Sequence, residues 1–269
     1  MMKKMDYQNV RGTQDYLPEQ EVVRREVRRA LEDTFITYGC KPIETPILNY
    51  TDLMASKYAG GAEILQEMYR LTDRGERDLA LRYDLTIPFA KVVAMNPALA
   101  MPFKRYEIGK VFRDGPIKTG RLREFTQCDV DIVGVRSQAA EAELMMMAID
   151  AFEKLQMKIE LQYNNRKLLY GLLEVFEVER NLMNKVILIL DKIEKISLAE
   201  VMKELETIEL SAASVTAIMD FLAAREILDL SYFKQYATQN EIVGQGLAEL
   251  EELTDYLQGL GISKECRFN

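Results

Sequence analysis

Apolar positions along Pro18–Tyr38 form one helical stripe, with Val22, Val23, Val27, Leu31, Phe35 and Ile36 behind an acidic start. Gly39 is placed to end that helix. Lys41–Leu48 carries two prolines among β-branched neighbours, which predicts an edge strand or extended segment. Glu67–Thr72 and Asp78–Tyr83 read as strands around the charged turn Asp73–Glu76, and Leu85–Met95 as a short helix. Phe103–Arg113 and Arg121–Val133 are the best strands, joined by a loop with Gly115, Pro116 and Gly120. Gln138–Met157 follows as an amphipathic helix and Lys158–Tyr163 as a short strand. From Asn165 to Leu260 the spacing is helical throughout, with no proline, no evident internal repeat and no low-complexity tract. Ser263–Asn269 reads as a strand just beginning, which predicts a chain that continues in a larger protein. The expected division is an α+β core over 1–164, a helical module over 165–262 and a return to the core over 263–269.

Composition narrows the chemistry. The 269 residues hold 35 Lys plus Arg against 43 Asp plus Glu, a formal charge of −8, which argues against non-specific coating of nucleic acid or anionic membrane. No apolar run approaches the roughly 20 residues of a membrane span. The first residues lack a signal-peptide core, and Cys40, Cys128 and Cys266 suit reduced thiols, so a cytoplasmic location without membrane contact is expected. The chain has no histidine. A Ser-His-Asp triad, a Cys-His pair and a His-ligated metal are therefore excluded, and no metal ligands are assigned. Chemistry has to come from carboxylates, Arg, Lys, backbone groups or a bound magnesium ion.

Parity along Arg121–Val133 puts Arg121, Arg123, Phe125, Gln127, Asp129 and Asp131 on one face. The alternate face is apolar from Thr126 onward. Guanidinium groups suit phosphate, a ring suits a base, and carboxylates suit an ammonium group. A solvated surface produces the same alternation. Arg113, at the end of the preceding strand, is able to reach this face. Asp84 and Thr86 stand at a strand-to-helix junction, where Asp84 also fits a plain helix cap.

The stretches Arg11–Pro18 (RGTQDYLP), 81–90 (LRYDLTIPFA) and 104–134 (KRYEIGKVFRDGPIKTGRLREFTQCDVDIVG) resemble the catalytic domain of histidyl-tRNA synthetases, most closely the eukaryotic and archaeal-like branch. The resemblance runs in order along the chain, with 163–176 (YNNRKLLYGLLEVF) as the entry to a helical insertion. Segment 39–50 looks like class II motif 1, with Pro46 its proline and a homodimer implied; 104–134 looks like motif 2. The implied fold is a class II antiparallel sheet flanked by helices, with an all-helical insertion. The implied activity is histidine–tRNA ligation. ATP and histidine are the substrates, magnesium accompanies ATP, and tRNA-His accepts the product in the full-length protein.

In that resemblance Arg113 contacts the ATP α-phosphate and the histidine carboxylate, Arg121 the β/γ-phosphates, and Phe125 the adenine. Asp84, Thr86 and Gln127 hold the α-ammonium, and Asp131 helps read the imidazole. Asp114-Gly115-Pro116 is a shortened form of the acidic adenine-side loop, Leu122 replaces a frequent aromatic, and Thr126 a bulkier residue. The family's second histidine block, its Gly-rich block, the motif 3 arginine and the anticodon-binding domain are not among these residues, so inactivity of the chain alone is expected. A non-catalytic paralogue, such as the histidine-sensing regulatory subunit of ATP phosphoribosyltransferase, also fits Gly120–Phe125; Arg82–Thr86 favours the synthetase. A third reading is a helical interaction module on an inert core. In it Lys167, Arg180, Lys185, Lys192 and Lys195 belong to a solvated face rather than an RNA groove.

Overall fold

A computed structural model describes residues 7–56, 65–193, 195–224 and 229–269. They form two compact units, one up to Ala140 with Met147–Lys158, the other Glu141–Met146 with Ile159–Asn269.

In the first unit, helix α1 (Pro18–Thr37) starts at a proline with Glu19 and Glu21 in its first turn, as the sequence requires. Its stripe is only partly covered: Phe35 is buried, but Val22 and Val23 are 60% and 62% exposed. Strands β1 (Lys41–Pro42), β5 (Phe103–Phe112) and β6 (Glu124–Val133) form one sheet, β1 parallel to β5 along its edge and β5 antiparallel to β6. Strands β2 (Leu48–Tyr50), β4 (Asp78–Leu81) and β3 (Arg70–Thr72) form a second, antiparallel sheet in that order. Helix α2 (Thr51–Ala55) follows β2, and α3 (Thr86–Met95) follows β4. Met54, Met68, Ala80, Tyr83 and Ile87 make the core beneath the smaller sheet.

Three expectations are corrected here. The strand expected over Glu67–Thr72 begins only at Arg70, and Glu67 lies in a bend. Arg121 and Arg123 precede β6 and close a turn in which Lys118 bridges Arg121, so loop geometry rather than strand parity places them. The face of β6 expected to be apolar is not a sealed core face: Cys128 is exposed, and Arg24 of α1 donates to Thr126 Oγ1 at 3.2 Å. A strand whose even positions include Thr and Cys lacks the apolar bulk to exclude water there.

Helix α4 (Ala139–Lys154) precedes the strand pair of the second unit, in which β7 (Leu161–Tyr163) lies parallel to β8 (Cys266–Phe268). Helices α5 (Arg166–Val175), α6 (Arg180–Leu190), α7 (Leu198–Glu206), α8 (Ala212–Ala224), α9 (Lys234–Ala237, continuing the 3-10 turn Leu230–Phe233) and α10 (Glu241–Leu260) complete it. Their core includes Leu168, Leu172, Met183, Val186, Val201, Leu205, Val243 and Leu247.

The pair α5–α10 carries a short repeat that periodicity alone does not separate from a helix. Residues 165–174 and 240–249 share the order Asn-x-x-apolar-x-x-Gly-Leu-x-Glu. Asn165 caps α5 by accepting from the Lys167 and Leu168 N–H groups, and its amide donates to Glu249 on α10 at 2.7 Å. Asn240 caps α10 in the same way, and its amide donates to Glu174 on α5 at 3.0 Å. Each glycine faces the partner helix: a Cβ at Gly171 would lie 2.6 Å from Val243 Cγ2, and one at Gly246 would lie 2.5 Å from the Leu168 N. The two backbones are therefore in direct contact. Gly246→Ala is expected to cost about 1–3 kcal/mol by overpacking. Gly259→Ala, in the same helix where a Cβ meets nothing within 4 Å, should gain about 0.5–1 kcal/mol from helix propensity. Urea unfolding followed by circular dichroism separates the two; equal effects would contradict the close contact.

Candidate functional site

The site is the odd-numbered face of the β5–β6 hairpin. Register pairs Arg105 with Asp131, Glu107 with Asp129, Gly109 with Gln127 and Val111 with Phe125. Directly opposed residues share a face, so this ladder runs from acidic groups at one end to an aromatic ring at the other.

On the β5 side this same face carries a buried polar network. Arg82 leaves the end of β4 and crosses β5 at Gly109, where any Cβ would collide with its guanidinium. Its Nη1 donates to the Thr45 carbonyl at 2.6 Å and to Glu107 Oε1 at 2.8 Å, and its Nε donates to the Lys110 carbonyl at 2.7 Å. Thr45 donates to the same carboxylate through its N–H and its hydroxyl, both at 2.9 Å. The Arg82 backbone also joins the two sheets, donating to the Ile47 carbonyl at 2.9 Å and accepting from the Phe112 N–H at 3.0 Å. Arg82 and Glu107 are both buried. Removing one member of such a pair strands the other charge, at a cost of about 3–5 kcal/mol.

Arg105 is 0% exposed. Its Nη2 donates to the Leu85 carbonyl at 3.3 Å, it forms an ion pair with Asp131, and its guanidinium lies 4.5 Å from the centre of the Phe89 ring. Asp84 is 6% exposed and accepts the Ile87 N–H at 3.0 Å, so it does cap the start of α3. Thr86, half-buried, opens that helix. Gln127 Oε1 is buried and accepts no hydrogen bond from any described residue. Asp129 feels Asp131, Asp84 and Glu107 against the opposing Arg105; burial above all pushes its carboxyl up from the usual range.

At the other end Arg113 follows β5. Its guanidinium sits 4.3 Å from the Tyr83 ring centre and 5.1 Å from that of Phe125, and its Nε donates to the Tyr83 carbonyl at 3.2 Å. Arg121 pairs with Glu67 at 3.3 Å, and Arg123 with Asp114 at 2.9 Å. The Arg123 N–H donates to the Gly12 carbonyl at 2.8 Å, which ties the Arg11–Pro18 segment to this end.

The fold thus brings Phe125, Gln127 and Asp131 onto one face, with Arg113 stacked against Phe125 at its end. Asp84 joins the acidic end through its charge on Asp129. Arg121 stands on the connecting loop. Pro46 lies apart from this face, exposed beside β2, where its carbonyl accepts from the Asn49 amide at 3.0 Å. Sequence reasoning missed Thr45, Glu67, Arg82, Arg105 and Glu107. The odd-position pattern of β5 mirrors that of β6 and was the available signal for Arg105 and Glu107.

Among the described residues no three Asp, Glu or Cys side chains converge as a metal cage. The described residues supply no fitted site for magnesium. No helix among the described residues is long and apolar enough to cross a membrane.

The family profile described as "Histidyl-tRNA synthetase" matches residues 12–269. The protein called "Histidine--tRNA ligase 2" of Shouchella clausii is 57% identical over 268 residues, covering 100% of this chain and 63% of that protein. "Histidine--tRNA ligase 1" of Bacillus anthracis is 56% identical over 265 residues, 98% of this chain and 62% of its own. The chain therefore spans less than two thirds of the length of these relatives. The crystal structure of histidyl-tRNA synthetase from Nostoc sp. PCC 7120 superposes with a TM-score of 0.82 at 27% identity, covering 99% of this chain and 61% of that one. A structure described as an ATP phosphoribosyltransferase regulatory subunit/histidyl-tRNA synthetase from Bacillus halodurans C also reaches 0.82, over 100% and 69% of the two chains; at 21% identity it shares the fold alone.

Asp129 gives a pH test. Its folded pKa is raised, so its proton stabilises the native state fully below the unfolded value of 3.8, and that contribution is lost as pH rises through the folded pKa. Asp129→Asn has no such dependence. Urea unfolding from pH 3 to 7 should show the Asn variant gaining on the parent as pH rises; a difference constant with pH would contradict the burial of this carboxylate.

Proposed function

The chain belongs to the histidyl-tRNA synthetase family, and from that premise we propose that its β5–β6 face binds ATP and histidine for formation of histidyl-adenylate. The observation that carries the reading is the polarity of one face. Asp84, Asp129, Asp131 and the unpaired acceptor Gln127 Oε1 stand at one end, Arg113 and Phe125 at the other. An amino acid is a cation and an anion a few bonds apart, and a nucleotide is a base and a polyanion. Both fit that order of groups.

In this reading the histidine α-ammonium sits against Gln127, Asp84 and Thr86, and Asp131 accepts from the imidazole N–H. Arg113, held between two rings, faces the histidine carboxylate and the α-phosphate, with Arg121 toward the β/γ-phosphates. The carboxylate oxygen attacks the α-phosphorus and pyrophosphate leaves. The nucleophile belongs to the substrate, so the lack of histidine in the chain removes nothing. The protein contributes by fixing the two reactants and by placing positive charge where charge gathers on phosphorus. Phe125 offers a ring to adenine on the side that Arg113 does not cover. Selectivity follows from buried acceptors that an amino acid without ring N–H groups leaves unsatisfied.

In the whole protein the adenylate is passed to tRNA-His, magnesium accompanies ATP, and the setting is the cytoplasm. A homodimer through the segment around Pro46 is supported by Ile47, Leu48 and Tyr50, which are exposed on and beside the edge strand β2. Lys167, Arg180 and Lys192 are ion-paired with Glu249, Glu174 and Glu204, which supports a solvated face rather than an RNA groove there.

Calorimetry with ATP and histidine, separately and together, tests the reading. Arg113→Ala should weaken ATP binding by about 10²-fold, the scale of a lost charge-assisted contact. Asp131→Asn should weaken histidine and leave ATP unchanged. Because the second histidine block and the motif 3 arginine are not among these 269 residues, histidine-dependent ATP–pyrophosphate exchange by this chain should be negligible. Robust exchange would contradict the expected inactivity of this chain alone, and ATP binding indifferent to Arg113 would contradict the nucleotide reading.

A further inference from the structure

One carboxylate touches both candidate phosphate-binding arginines, Arg121 directly and Arg113 through a ring. Glu67 Oε1 accepts from Arg121 Nη2 at 3.3 Å. Its Oε2 accepts from the Tyr83 hydroxyl at 3.0 Å, and the Tyr83 ring is the one 4.3 Å from Arg113. The Glu67 carbonyl accepts from the Asp114 N–H at 2.7 Å, tying down the start of the loop that carries Arg121. The loop also fits around the carboxylate: a Cβ at Gly115 would lie 2.6 Å from Glu67 Oε1. Glu67 is thus the point on which the hairpin loop rests.

We propose that Glu67 is a positioning residue that latches the Arg121 loop in the unliganded protein and is displaced from Arg121 by the phosphate chain of ATP. This rests on the nucleotide reading above. Arg121 has one guanidinium to share, and carboxylate and phosphate compete for the same fork of N–H groups. The Glu67–Arg121 pair is half-open to water, with side-chain exposures of 21% and 49%, so it is weak and easily exchanged. The Tyr83 hydrogen bond stays behind when Arg121 leaves, which keeps the ring against Arg113 while the loop moves onto the phosphates. The latch therefore opposes ATP binding at Arg121 and supports it at Arg113.

The test is a double-mutant cycle read by calorimetry with ATP and, separately, inorganic tripolyphosphate, on the parent, Glu67→Gln, Arg121→Ala and the double variant. Glutamine still accepts from Tyr83 but carries no charge. Glu67→Gln should bind both ligands about threefold to fivefold tighter, the scale of an exposed ion pair, and the gain should vanish when Arg121 is absent. An equal gain with and without Arg121 indicates only relief of general repulsion and overturns the latch, as does unchanged or weaker binding by Glu67→Gln. A ligand-free readout keeps this separate from the nucleotide reading. Trypsin should cut after Arg121 several-fold faster in Glu67→Gln than in the parent, with unchanged thermal unfolding. Equal cutting rates overturn the latch even if ATP binds; faster cutting without any binding of ATP or tripolyphosphate sinks the nucleotide reading and, with it, the displacement step.

Discussion

A guanidinium shut away from water has to find its hydrogen bonds inside the protein, and the junction of the two sheets in the first unit supplies them to Arg82. Thr45, Glu107 and the Lys110 carbonyl accept hydrogen bonds from its N–H groups, while its backbone bonds to Ile47 and Phe112 across the junction. An unpaired charge in that position would cost several kcal/mol, so the segments that provide the partners are held to a narrow set of relative positions. Gly109 is part of the same constraint, because any side chain there would occupy the space of the guanidinium. The rest of the site depends on this junction: it sets where β5 lies, and β5 sets the register of β6.

Once that register is fixed, the chemistry follows from alternation. Each odd residue of β5 meets an odd residue of β6 on the same face, and the sequence fills those positions with groups of graded charge. The acidic end holds several carboxylates around the buried Arg105; burial first, and then the neighbouring Asp131, Asp84 and Glu107, push the Asp129 carboxyl up. The arginine end is assembled differently. Arg113 is held by two rings and a carbonyl, Arg121 by a carboxylate that is itself held by Tyr83. Arg113 is thus fixed just past the end of β5, whereas Arg121 rides on the connecting loop with a single exposed ion pair.

Much of this was legible in the residues. The helices, the β5–β6 hairpin and the polar parity from Phe125 to Asp131 were visible because period and turn chemistry are local properties. The resemblance supplied the roles of Arg113, Gln127 and Asp131; the structure lays Gln127 and Asp131 along one face, with Arg113 just past the end of β5. What escaped was long-range. Arg82 looked like one more charge in a strand, since nothing local marks a guanidinium that will cross Gly109 to meet Glu107. Glu67 looked like a strand residue because its importance lies in contacts with residues 83, 114 and 121. The stripe Val22–Val27 on α1 is legible as helical spacing, but nothing local shows that it is left largely exposed. The paired Asn-Gly-Glu order of α5 and α10 hid inside ordinary helical periodicity until the two helices were seen cap against glutamate.

The polarised face is tested most directly by a crystal structure of the chain soaked with histidine and a non-hydrolysable ATP analogue. The expected density places the amino group within hydrogen-bonding distance of Gln127 Oε1, the imidazole beside Asp131, and phosphate oxygens against Arg113, all on the odd-numbered side of the hairpin. Ligands bound on another surface, or Gln127 and Arg113 turned to opposite sides of the sheet, would show that the order of charges along β5 and β6 is a feature of a solvated sheet and not of a binding site.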